Sequence, residues 1–259
     1  MKIDEVFCHT FKALRHELGH DRPRDTRPMW QRRLSADSDF CRAIVGCGYL
    51  SEKQMQRAVQ RYRLGRSHDG GVIFWQIDTL EQIFDGKIMH YRPDGHRDHL
   101  RKPYWVSSAL KRHYLKDDPQ LAAEIPSQHC LFGTHLLREK GIVKSEEFAT
   151  AVAVVEAEKT AVILSEVYPE YLWLAAGGLY ELTAVKLFPL RGRRIILFPD
   201  TDPDGQAYAT WYKVTLEAQR LLGQTIRLSP LLEQKATPDQ KRRKIDLVDF
   251  LEESGRFQT

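Results

Sequence analysis

The stretch that decides the fold opens with Val152-Ala153-Val154-Val155-Glu156 and closes with Ile195-Ile196-Leu197-Phe198-Pro199-Asp200-Thr201-Asp202. A short β-branched run without polar alternation is typical of a strand that is buried on both faces. A helical pattern separates the two runs, which indicates parallel strands in an α/β sheet. Ligands of such sheets bind beyond the carboxyl ends of the strands. Because both runs end in acids, we expect Glu156, Asp200 and Asp202 to meet in one crevice.

The rest of the second half alternates between helical and strand patterns. The sequence predicts a helix at 160–167, a strand at 171–175, a helix containing Leu182, Val185 and Leu187, the strand into Asp200, a helix at 206–222, a strand at 225–228 and a final helix near 246–253. A doubly wound layer is the simplest arrangement for this order. The predicted fold class is therefore α/β, with a C-terminal parallel sheet flanked by helices.

The first half of the chain has a different pattern, that of a smaller basic α+β domain. Residues 1–20 carry apolar residues at helical spacing, and Ser51 is a suitable N-cap for a second helix. Strand-like runs at 72–78 and 87–91 predict an antiparallel hairpin. We therefore predict three regions: a helical basic N-terminal region at 1–65, a hairpin-containing α+β domain at 66–127, and the α/β domain at 128–259.

The cations cluster, although the formal net charge of the 259-residue chain is only +4. Clustered Lys and Arg favour a polyanionic partner, and aromatic rings beside them are typical of single-strand binding. A polar hairpin loop whose Tyr104 and Trp105 fill the core is the alternative, as is a solvated connector for the basic segment 22–33. The candidate nucleic-acid-binding residues are Arg97, Arg101, Lys102, Lys111, Arg112 and, after the first acidic cluster, Lys159.

The four cysteines lie far apart and contain no CxxC pair. Neither a disulfide framework nor a zinc ribbon is therefore indicated, and Cys8, His9, His16, His20, Cys41 and Cys47 fit no common zinc spacing. No secretory leader precedes them, so a reduced cytoplasm is the expected compartment. No apolar run approaches the roughly 20 residues that span a bilayer, which excludes a membrane partner at this stage.

The spacing of Asp200 and Asp202 favours a metal site. A lone carboxylate at a strand end is often only the N-cap of the next helix, and this alternative applies to Glu156 as well. Alternate residues of an extended segment, however, point the same way and can present two oxygen groups to one hard cation. Where phosphates are handled, that cation is usually Mg²⁺, with Mn²⁺ as a substitute.

These residues resemble the TOPRIM domain that is shared by bacterial primases, topoisomerases and some nucleases. That family has a glutamate after its first strand and an Asp-x-Asp, followed by glycine, after a later strand. Glu156, Asp200-Thr201-Asp202 and Gly205 match this pattern. Primases often read Glu-Gly-Glu-x-Asp at the first position, whereas this chain reads Glu156-Ala157-Glu158-Lys159-Thr160, with alanine for the glycine and threonine for the distal aspartate.

The likeness extends beyond the acidic residues. The segment 244–251 resembles the later acidic segment of the family, which implies that Asp246 is a further metal ligand. The chain from about residue 60 to 250 is also similar to an uncharacterised toprim-like family of bacterial mobile elements. The segments that carry this likeness are 73–78, 86–89, 130–133, 173–175 and 198–200. The resemblance implies a TOPRIM-like fold and a role in replication or mobilisation of such an element.

The chemistry implied by the resemblance is metal-dependent nucleotidyl or phosphoryl transfer on DNA or RNA. Asp200 and Asp202 would hold Mg²⁺, and Glu156 would act as metal ligand or general acid/base. Primase-like synthesis on single-stranded DNA from nucleotides is the first hypothesis, a nuclease the second, and a catalytically silent DNA-binding module the third. Because the chain has no Gly-x-x-x-x-Gly-Lys-Ser/Thr loop, a helicase or other replication partner would be a separate protein.

Overall fold

The computed structural model describes residues 28–125, 128–138 and 150–257. The chain divides into two compact units, Met1–His129 and Cys130–Thr259. The predicted amphipathic helix at 1–20 and the first half of the basic segment 22–33 lie outside the described residues. Among the residues described, no helix combines the length and the apolar character needed to cross a membrane.

The first unit is built around a four-stranded antiparallel sheet in the order β1-β2-β3-β4. Its strands are β1 Gly65–Arg66, β2 Val72–Ile77, β3 Ile83–Met89 and β4 Tyr104–Trp105. The central pair is the predicted hairpin, in register from Val72 opposite Met89 to Gln76 opposite Asp85. The second strand begins earlier than predicted, because the Asp78 carboxylate accepts the backbone N–H groups of Leu80 and Gln82 and closes a short turn.

Five helices accompany this sheet within the described residues. They are α1 Met29–Arg33, α2 Asp39–Gly46, α3 Glu52–Tyr62, α4 Val106–Tyr114 and α5 Pro119–Glu124. The predicted cap of α3 is present, because the Ser51 hydroxyl accepts the N–H of Gln54 and the Gln54 side chain accepts the N–H of Ser51. Gly86 lets the ring of Trp75 lie against the strand, since a Cβ there would come within 2.7 Å of the indole.

The second unit contains a parallel four-stranded sheet in the order β6-β5-β7-β8. The strands are β5 Ala151–Val155, β6 Tyr171–Ala175, β7 Ile195–Phe198 and β8 Arg227–Leu228. The helices are α6 Glu158–Val167, α7 Gln206–Leu222, α8 Leu231–Lys235, α9 Pro238–Arg243 and α10 Leu247–Glu253, with 3-10 helices at Thr134–Arg138 and Val185–Leu190. All five residues of β5 are buried, as its unbroken apolar sequence predicts.

The strand order places a topological switch point between β5 and β7. The chain leaves β5 toward β6 on one side, and later leaves β7 toward β8 on the other. Right-handed crossovers then put the connecting helices on opposite faces of the sheet. In agreement, α7 packs against the 3-10 helix Val185–Leu190, whereas α6 packs against α10. The predicted parallel sheet flanked by helices is confirmed, and its crevice lies beyond Val155 and Phe198.

Candidate functional site

A cavity of about 470 Å³ opens at the carboxyl ends of β5 and β7. Its wall contains the three acids that the sequence predicts to converge, together with residues of the turn before α7 and the end of α9. The lining residues are Glu156, Leu179, Asp200, Thr201, Asp202, Pro203, Asp204, Gln206, Ala207 and Lys244. The volume lies within the 300–1,000 Å³ range of small-ligand pockets.

Glu156 and Asp200 reach this cavity because each follows a strand on one side of the switch point. Val155 is the last residue of β5, and Phe198 is the last residue of β7, in register with it. The β5 end is fixed by its neighbours, since the Glu156 carbonyl oxygen accepts the N–H of Gly177 at 2.9 Å. The two acids are therefore positioned by the sheet and not by a flexible loop.

Asp200 is the most perturbed carboxyl group of the cavity. Burial raises the pKa of Asp200 well above its ordinary value, and the negative charge of Glu156 raises it further. The carboxylates of Asp246 and Asp249 act in the same direction, whereas the ammonium of Lys159 opposes them. A cation in the cavity would relieve this repulsion and hold Asp200 in its charged form.

Asp202 has a different environment, because its carboxylate faces the first turn of α7. One oxygen accepts the N–H groups of Asp204 and Gln206, both at 3.0 Å, and the other accepts the N–H of Ala207 at 2.6 Å. Burial alone would raise the pKa of Asp202, but these backbone donors lower it below its ordinary value. Asp202 is thus an ionised acid that stabilises the start of a helix at the cavity wall.

Asp246 is not among the residues that line the cavity. It caps α10 by accepting the N–H of Asp249 at 2.9 Å, and its second oxygen accepts the hydroxyl of Thr160 at 2.6 Å. Both carboxylate oxygens therefore have protein donors. The threonine that stands where the resembled primases have an aspartate donates to Asp246, which caps α10 and whose charge acts on Asp200. The predicted role of Asp246 as a metal ligand stays a prediction.

Lys159 is largely buried behind the acids. Its ammonium lies 4.0 Å from Asp246 and 3.9 Å from Asp249, with a side chain that is 10% exposed. This position lets Lys159 compensate negative charge beside Asp200, in agreement with its lowering effect on the pKa of that group. The predicted phosphate contact of Lys159 stays a prediction.

The donor set of the cavity is compatible with Mg²⁺ but does not form a finished cage. No three His, Cys, Asp or Glu side chains in the described part of the chain are arranged to hold a metal ion as they stand. Mg²⁺ usually keeps several waters and binds through one or two carboxylates plus substrate phosphates. Glu156 and Asp200 supply two such carboxylates in one cavity, so the residues present fit this ion.

The predicted nucleic-acid-binding cations of the first unit lie in the connection between β3 and β4 and on α4, and Arg101 and Arg112 are among those with a hydrogen-bond partner. Arg101 contacts the ring of His90 at 2.6 Å and the Asp69 carboxylate at 3.4 Å. Arg112 donates to the Ser108 carbonyl at 3.4 Å. Lys111 is partly buried on α4, whereas Arg97 and Lys102 are exposed.

Three further residues belong to this site and were not assigned by the sequence. Thr201 and Lys244 line the cavity, and the carboxylate of Asp249 contributes to the field at Asp200. Lys244 and Asp249 lie in the segment 244–251, so the resemblance marks their neighbourhood without giving them a role. Tyr180, which is 69% exposed, stands beside the cavity and accepts a hydrogen bond from the Gln206 amide at 2.9 Å.

The chain is similar to a protein family and to solved structures. The family described as "Domain of unknown function (DUF6371)" matches residues 38–201, which is more than half of the chain. The primase fragment of the Bacteriophage T7 primase-helicase protein is similar in structure with a TM-score of 0.43 and 15% sequence identity. This similarity covers 78% of the chain and 66% of the fragment. No curated protein matches the chain.

Proposed function

The chain belongs to the DUF6371 family, and we propose that it is a Mg²⁺-dependent, TOPRIM-type enzyme that performs primase-like nucleotidyl transfer on single-stranded DNA. The observation that carries this proposal is that Glu156, Asp200 and Asp202 line one cavity at the switch point of a parallel sheet. Their oxygens are the ligands that Mg²⁺ prefers, and open α/β sheets bind ligands at this position. The TOPRIM-like spacing of the same acids supports the reaction class.

In this proposal Glu156 and Asp200 hold the metal ion. When bound, Mg²⁺ supplies electrostatic stabilisation of the charge on the attacking and leaving oxygens. Asp200 is assigned as a ligand because it lines the cavity together with Glu156, whose negative charge acts on it directly. Asp202 keeps the start of α7 at the cavity wall and adds a third negative charge to the field.

The test is primer synthesis on a single-stranded template with all four ribonucleotides and Mg²⁺. The wild-type protein is expected to synthesise primers. Asp200→Asn and Glu156→Gln are each expected to reduce the rate of primer synthesis by about 10²-fold or more, since each removes a charge that stabilises the metal and the transition state. Asp239→Asn is the matched control, because Asp239 pairs with Arg242 and Arg243 on exposed α9. Shortening of the template in place of extension would favour the nuclease hypothesis.

A binding module of the same fold is the second candidate, and the arrangement of Asp202 favours it. Both oxygens of this acid are occupied by backbone donors, and no three-ligand group is preformed in the described residues. Such a module would bind single-stranded DNA equally well before and after Asp200→Asn. Loss of product with unchanged binding separates the enzyme from the module.

Partners follow from the same proposal. Nucleotides and a single-stranded template are the substrates, and replication or mobilisation of a mobile element is the setting that the resemblance implies. In this proposal a helicase or other replication protein opens the duplex. Primer synthesis on a duplex template is expected only when such a partner is added, which a two-protein assay measures.

A further inference from the structure

Thr201 carries a buried hydroxyl that has no hydrogen-bond partner among the described residues. The residue is 2% exposed, and its Oγ1 atom is unpaired although its backbone N–H bonds to the Ile245 carbonyl. An unpaired buried hydroxyl destabilises the folded protein, so such groups are rare and point to a role. Because Thr201 lines the cavity, a ligand that enters the cavity can provide the missing partner.

Lys244 brings a positive charge to the same cavity. It is exposed, lines the cavity wall, and forms no ion pair in the part of the chain that the structure describes. Its backbone is in the left-handed region, with φ 55° and ψ 51°, where it ends α9 by donating to the Gln240 and Lys241 carbonyls. A non-glycine residue adopts this conformation at some energetic cost, and such positions cluster at ligand sites.

We propose that Thr201 and Lys244 hold the triphosphate of an incoming nucleotide in the acidic cavity. The Lys244 ammonium donates charge-assisted hydrogen bonds to the phosphate oxygens, and the Thr201 hydroxyl donates a further one. The inference rests on the proposed function, because phosphates enter an acidic cavity only with a divalent cation. A volume of about 470 Å³ suits one nucleotide better than a folded strand.

The first measurement is binding of a non-hydrolysable ATP analogue with Mg²⁺, by calorimetry, without template. We expect Thr201→Val and Lys244→Gln each to weaken binding about tenfold or more, as is usual when a hydrogen bond to a charged group is lost. Lys213→Gln is the matched lysine control, because Lys213 is exposed on α7 and does not line the cavity. It should bind the analogue as the wild type does.

The second measurement separates a ligand contact from a structural role. Because the Thr201 hydroxyl has no partner, Thr201→Val should raise the Tm by about 2–4 °C, while weakening nucleotide binding. Thr134→Val is the control: Thr134 is equally buried at 2%, but its hydroxyl donates to the Leu131 carbonyl at 2.7 Å. This variant should not gain stability, and it should bind the analogue normally.

Several outcomes would overturn the inference. One is that the wild-type protein fails to bind the ATP analogue with Mg²⁺. Others are that Thr201→Val or Lys244→Gln binds the analogue as tightly as the wild type, or that Thr201→Val lowers the Tm. A selective loss of binding to a single-stranded oligonucleotide, with analogue binding intact, would also overturn it. The inference is supported if the wild type binds the analogue and both variants bind it more weakly. If no primer is made in that case, only the proposed function fails.

Discussion

At the scale of single residues, the unusual energetics of the site concentrate on Asp200. Most of the charged side chains that act on it are acidic, and its burial removes the water that would otherwise screen them. A carboxyl group whose pKa is raised by folding destabilises the folded state once it must ionise. Asp200 is therefore a group that the fold retains at a cost, and a bound cation would offset that cost.

The first residue-scale prediction concerns the pH dependence of this cost. In the unfolded chain Asp200 ionises near pH 3.9, whereas in the folded chain it keeps its proton to a well higher pH. The stability penalty is absent below the unfolded pKa and grows as the pH rises toward the folded pKa. Asp200→Asn removes the penalty, so its gain in Tm over the wild type should increase between pH 5 and pH 8 in metal-free buffer.

Asp239→Asn should behave in the opposite way. The guanidinium groups of Arg243 and Arg242 lower the pKa of Asp239, so its ionised form favours folding above pH 3.9. The variant is expected to lose a little stability at neutral pH and none at low pH.

A Tm difference between Asp200→Asn and wild type that is constant from pH 5 to pH 8 would contradict the repulsion described here.

Added metal gives a second residue-scale prediction. A ligand that binds only the folded state raises the Tm with its concentration. Mg²⁺ at millimolar concentration should raise the Tm of the wild type and of Asp239→Asn, but not that of Asp200→Asn. Thermal melts with and without EDTA measure this directly, and an equal Mg²⁺ effect on all three proteins would exclude Asp200 as a ligand.

At the scale of secondary structure, elements with clear end signals were predicted best. The long helix α7 has the predicted bounds 206–222, with Gly205 and Gly223 in left-handed conformations at its two ends. Strand β6 also has its predicted bounds, 171–175. The helix predicted around Leu182 to Leu187 is instead a 3-10 helix at Val185–Leu190, because Pro189 inside the segment cannot donate an α-helical hydrogen bond.

The element-scale prediction separates the two functions of Asp202. Asp202→Ala removes three hydrogen bonds from the start of α7 and should cost about 0.5–2 kcal/mol of stability. Asp202→Asn can keep the two bonds to Asp204 and Gln206 and should cost less, because only the bond to Ala207 is lost. Urea unfolding measures both values.

Catalysis should follow a different order. Both substitutions remove the negative charge, so primer synthesis should fall to a similar extent in the two variants, by about tenfold. The Ala variant should be the less stable of the two. If instead activity tracks stability, with Asp202→Asn close to wild type, Asp202 is a helix cap whose charge has no part in the reaction.

At the scale of the whole molecule, the convergence of the acids was predictable and the rest of the cavity was not. Parallel strands bring their carboxyl ends to one edge, so a strand pattern that ends in an acid already places Glu156 near Asp200. Lys244 enters the cavity from the end of α9, and the Thr201 hydroxyl is unpaired only because of the packing around it. Neither fact is a property of a local pattern, and both depend on the folded chain.

The last prediction concerns the basic first unit. If its exposed cations bind a nucleic-acid backbone, they release counterions on binding, and affinity should fall steeply with salt. Arg97 and Lys102 are chosen from the exposed members of the predicted set, because Arg101, which is exposed as well, is engaged with His90 and Asp69. Each substitution, Arg97→Gln or Lys102→Gln, should therefore reduce the slope of log K against log salt by about 0.7 for a single strand.

Substitution of Lys213 by Gln is the control for this measurement, because Lys213 is an exposed lysine of the second unit. Its slope should equal that of the wild type. Fluorescence anisotropy of a labelled oligonucleotide at several salt concentrations provides the slopes, and mixed-sequence strands should give similar values because phosphate contacts carry no sequence information. Unchanged slopes for both Arg97→Gln and Lys102→Gln would mean that this basic surface is solvated in the complex, and that the contacts with the strand come from other residues.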